Sequence, residues 1–62
     1  MDTAAMTDAE LLWTARDAAQ AEECLRTIGT PSAEAKCSQY LDVVLECAEE
    51  LVRRRRALRG AL

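Results

Sequence analysis

Apolar residues recur every three or four positions along most of this chain, which is the spacing of an amphipathic helix. At about 100° per residue, Leu11, Thr14, Ala18, Ala21, Leu25 and Ile28 fall on one stripe. Arg16, Gln20, Glu23 and Thr27 fall on the opposite face. Small residues fill the middle of the stripe, so a neighbouring helix can approach closely. Thr7 followed by Glu10 has capping-box spacing and marks the start. Gly29 marks the end, because glycine takes the left-handed conformation that closes a helix. A first helix over residues 8–28 is therefore predicted.

Thr30-Pro31 restarts the chain. Thr30 is a capping residue, and Pro31 suits the first helical position. The second helix is predicted over residues 31–59, with Gly60 as its stop. A turn at residues 29–30 leaves the two helices no arrangement except side by side and antiparallel. The expected fold is all-α, a single helical-hairpin domain over residues 1–62. At 1.5 Å per residue the helices would be roughly 32 and 43 Å long, so the second overhangs the first by about two turns.

The second helix carries two apolar seams. One is Cys37, Tyr40, Val44, Cys47, Leu51 and Leu58. The other is Leu41, Leu45, Ala48 and Val52. A single partner helix covers one seam only. The uncovered seam marks an interaction site, and the simplest closure is a symmetric dimer of hairpins forming a four-helix bundle. A different partner protein on the same seam is the alternative. Trp13 lies on the polar flank of the first helix and is read with Leu41, Leu45 and Val52 as partner-binding, since aromatic residues are enriched in interfaces.

Composition sharpens this picture. The chain has 62 residues, half of them apolar and 31% charged, with no His and no Phe. So short a chain buries a modest core and gains from a partner. No apolar run reaches the ~20 residues that span a bilayer, and no membrane role is expected. The start, MDTAAMTDAE, lacks the basic and apolar regions of a signal peptide, and a cytoplasmic location is expected. Cys24, Cys37 and Cys47 have no CxxC spacing and no His beside them. They are read as three small buried thiols, and neither a metal nor a cofactor is expected.

The net charge of −3 conceals a division. Residues 1–52 hold all eleven acids and three bases (Arg16, Arg26, Lys36), while residues 53–62 hold five arginines and no acid. Arginines neutralise phosphates, but these follow no recognition-helix motif and complement the dipole at a helix C-terminus. Glu49–Arg53 and Glu50–Arg54 are favourable pairs at helical spacing. The reading is against nucleic acid and for Arg55, Arg56 and Arg59 docking on acids of another subunit.

Ser38 and Asp42 stack on one polar face of the second helix, with Gln39 on the neighbouring edge. This Ser38-Gln39-Tyr40-Leu41-Asp42 stretch resembles the SQELD signature of the small sporulation-regulating aspartyl-phosphate phosphatases. Those are helical hairpins acting on phosphorylated response regulators. Val44 and Leu45 match the apolar pair that follows it, and Gly29 falls near the family's loop glycine, while Tyr40 stands where the signature has Glu and the spacing from the glycine is one residue short. The resemblance implies that Asp42 and Gln39 orient a water for attack on phosphorus, and that Ser38 helps hold the site. The Gln39-Tyr40 pair also resembles a feature of type III secretion needle-subunit chaperones, which cover an apolar helix. The chain lacks a glycine-rich phosphate loop and a fold large enough for a deep pocket, which argues against a self-contained enzyme. The leading expectation is a small regulatory or adaptor protein acting by helix-mediated protein–protein binding. The phosphatase accessory and the secretion chaperone are the alternatives.

Overall fold

The computed structural model describes residues 1–61. It is all-helical: a short 3₁₀ turn at Thr3–Ala5, then α1 at Asp8–Arg26 and α2 at Pro31–Ala61. The two long helices pack against each other as a hairpin 48 Å long and about 17 Å across.

The start of α1 is capped as its spacing predicts. The Thr7 N–H donates to Glu10 Oε1 at 3.0 Å, and the Glu10 N–H donates to Thr7 Oγ1 at 3.1 Å. Two amides that the first turn would leave unpaired are thereby satisfied. At the other end the Ile28 N–H donates to the Leu25 carbonyl, and Gly29 adopts φ +74°. No atom lies within 4 Å of where a Cβ would sit on Gly29, so its conformation, rather than lack of room, calls for glycine. Thr30 then caps α2, its Oγ1 accepting from the Ala33 N–H at 3.2 Å.

Two boundaries differ from expectation. The first helix ends at Arg26, so Ile28 lies in the turn, is 59% exposed and contributes nothing to the core. The second helix runs through Gly60 to Ala61. A glycine weakens a helix by about 1 kcal/mol without obliging it to stop.

The core is thin. Leu11 and Cys47 are fully buried, and Ala18, Ala33 and Cys37 are nearly so. Thr14, Ala21, Leu25, Val44 and Leu51 lie half-buried along the same seam. Tyr40 and Leu58, assigned to that seam by periodicity, are exposed. Cys24 is also exposed, leaving two buried thiols instead of three. The Cys37 thiol donates to the Glu22 carbonyl at 3.5 Å, and burial pushes the Cys47 thiol pKa up.

Two glutamates complete the inward-facing surface, Glu22 near the turn and Glu50 toward the open end. Glu22 accepts from Arg26 Nε at 2.8 Å and also pairs with Arg26 Nη2. Glu50 accepts from Arg54 Nε at 2.9 Å and from Arg53. Among the described residues, no buried side-chain oxygen or nitrogen lacks a partner. Each arginine keeps its glutamate ionised at the edge of the core, and hydrogen bonds from Arg26 and Arg53 respectively hold the two carboxyls below the usual carboxylate range.

Candidate protein-binding surface

Four surfaces carry the residues singled out by the sequence. The first is a row along α2. Leu41, Leu45 and Val52 are all exposed, Leu45 at 58%, and Ala48 lies exposed between them. This row sits about a third of a turn around α2 from the fully buried Cys47, and α1 leaves it uncovered. Leu45, Ala48, Val52, Glu49, Arg53 and Arg56 line one shallow depression. The apolar row thus passes directly into the arginines.

A cleft absent from the sequence reading lies beside it. Leu12, Leu51 and Leu58 line it, together with Asp8, Ala9, Arg54 and Arg55. Leu58 lies near the end of α2 and remains 69% exposed, because α1 has already begun opposite Arg54. The signal was the Leu11-Leu12 pair: adjacent helical residues point about 100° apart, so one fills the core and its neighbour lines the edge.

Trp13 forms a separate patch. It is 68% exposed and lines a depression with Met6, Ala9, Glu10 and Thr14. The fold does not join it to Leu41, Leu45 and Val52, since none of those residues lines that depression.

The arginine end is only partly free. Arg54 is drawn back into its own hairpin: Nη1 donates to Asp8 Oδ1 at 2.6 Å, and Nη2 donates to the carbonyls of Met6 at 2.6 Å and Thr3 at 3.1 Å. Helical spacing pairs Arg54 with Glu50 alone, and the fold adds Asp8 and backbone carbonyls of the N-terminal segment. Arg53 also turns to Glu50, not to Glu49. Hydrogen bonding to Asp8, then to Glu50, pushes the Arg54 pKa up and keeps it charged. Arg55, Arg56 and Arg59 stay exposed.

Ser38, Gln39 and Asp42 are likewise exposed on α2. Among the described residues no group of three His, Cys, Asp or Glu side chains comes together as a metal site, and no helix is long and apolar enough to cross a membrane. No protein-family model, curated protein or solved structure matches this chain.

Proposed function

We propose that this protein is a regulatory or adaptor module that works by helix-mediated binding through the Leu41–Leu45–Ala48–Val52 row of α2. With no other partner present, a second copy covers the row and the two hairpins form a four-helix bundle. One observation carries the reading. Among the described residues nine large apolar side chains are exposed, whereas the buried apolar set is five residues, of which only Leu11 is large. A hairpin with so thin a core gains most from burying its outer row. Size-exclusion chromatography with light scattering tests this on the parent and on Leu45→Asp. The parent runs as a dimer. The variant runs as a monomer, because the aspartate would be buried without a partner. A parent dimer unaffected by Leu45→Asp would place the contact elsewhere and refute the reading.

A second reading rests on the exposed polar group Ser38, Gln39 and Asp42. Presented to a phosphorylated receiver domain, these side chains could position a water at the acyl phosphate, the rest of the catalytic site belonging to the substrate. Loss of acyl phosphate, followed with phosphorylated receiver domains, tests it. Acceleration abolished by Asp42→Ala supports this reading, and no acceleration by the parent excludes it for those receivers.

A further inference from the structure

The outer face of α2 has a longer pattern than its apolar centre. Glu34, Leu41, Ala48 and Arg55 recur every seven residues, and so do Ser38, Leu45, Val52 and Arg59 four positions on. All eight residues are exposed. The two rows lie about 40° apart or less on the helix, forming one continuous stripe. Each is polar at its N-terminal end, apolar in the middle and cationic at its C-terminal end. Only Glu34 supplies an acid, at the opposite end from Arg55 and Arg59.

We infer that this stripe is built to pair antiparallel with the same stripe of a second copy, in a register that seats Glu34 against the partner's Arg59. The inference rests on the binding role proposed for the row and adds its orientation and register. Leu41 with the partner's Val52, and Leu45 with the partner's Ala48, share one midpoint between Glu46 and Cys47. Glu34 with the partner's Arg59, and Ser38 with the partner's Arg55, share that same midpoint. A single two-fold axis therefore aligns the apolar centres and the oppositely charged ends together. The opposite orientation fails on charge: parallel helices in register would set Arg55 and Arg59 of each chain beside the partner's Arg55 and Arg59. Like charges so placed disfavour the pairing, and opposite charges select the alternative. A two-fold axis also gives every contact twice, as closed dimers require.

A charge swap tests the register. Glu34→Arg, Arg59→Glu and the double variant are compared with the parent by sedimentation at low salt. Each single reversal should weaken dimerisation about tenfold, because two attractive contacts per dimer become repulsive. The double variant should return to within about twofold of the parent. The helix dipole predicts the reverse order, since an arginine at the start of α2 and a glutamate at its end both oppose the macrodipole. Rescue by the double variant therefore has to come from contact between chains, with circular dichroism reporting helix content alongside. A dimer lost in Leu45→Asp but indifferent to the swap overturns the register and leaves the binding role intact. A monomeric parent overturns both.

Discussion

Arg54 and Asp8 are joined across the open end of the hairpin, Nη1 to Oδ1 at 2.6 Å, although forty-six positions separate them in sequence. The same guanidinium reaches Glu50 and the Thr3 and Met6 carbonyls. One side chain thus ties the N-terminal turn, the start of α1 and the body of α2 together. Arg54→Gln should loosen residues 1–7 while leaving the hairpin helical. Hydrogen exchange would show faster amide exchange at Ala5 and Met6, and the melting temperature would fall by several degrees. Asp8→Asn should do less, since Asp8 is the exposed member of the network.

Leu11 and Leu45 predict opposite outcomes for the same substitution. Leu11 is fully buried, and Leu11→Ala should cost about 2–5 kcal/mol, most of the stability available to so small a domain. Leu45→Ala should barely change the hairpin's own stability and act mainly on association. Chemical denaturation at two protein concentrations separates these effects, because only an association effect depends on concentration.

Removing the α1 cap should have an intermediate effect. Thr7→Ala eliminates the hydroxyl that receives the Glu10 amide and should cost about 1 kcal/mol. In a domain of this size that lowers the melting temperature by about 4–8 °C, measurable by circular dichroism.

Acid should unfold the protein by protonating three glutamates. Glu10, Glu22 and Glu50 all have pKa values below the ordinary 4.5, through hydrogen bonds from Thr7, Arg26 and Arg53 respectively. A depressed carboxylate contributes stability that is full above its unfolded value and is lost as pH falls through its folded value. Stability should therefore be flat above about pH 5 and decline below the ordinary carboxylate range. Glu22→Gln and Glu50→Gln together should flatten that decline, as followed by thermal melts at stepped pH.

The hairpin was legible because its signals are local. Thr7 with Glu10, Gly29, and Thr30-Pro31 each act within one turn of chain, and each does what its chemistry predicts. The exposed row was legible too, since Leu41, Leu45 and Val52 lie too far around α2 for one neighbour to cover. Glu22 and Glu50 were not, because a charged residue on an apolar stripe reads as an interruption. Their arginines, four or three positions away, allow both to turn inward. Arg54 was hidden for another reason: its partners come from the far end of the chain and appear only once the helices pair. Leu58 and Ile28 kept the right periodicity but lack α1 opposite them, so periodicity alone misplaced them. The stretch from Ser38 to Asp42 is visible in sequence, and all five of its residues are exposed in the structure.

Sedimentation equilibrium of the unmodified chain across a wide concentration range at low salt decides whether the hairpins pair. A helical species of twice the 6.8 kDa chain mass is expected, dissociating on dilution and more readily as salt screens Glu34 and Arg59. A stable, folded species of 6.8 kDa at every concentration would contradict such pairing.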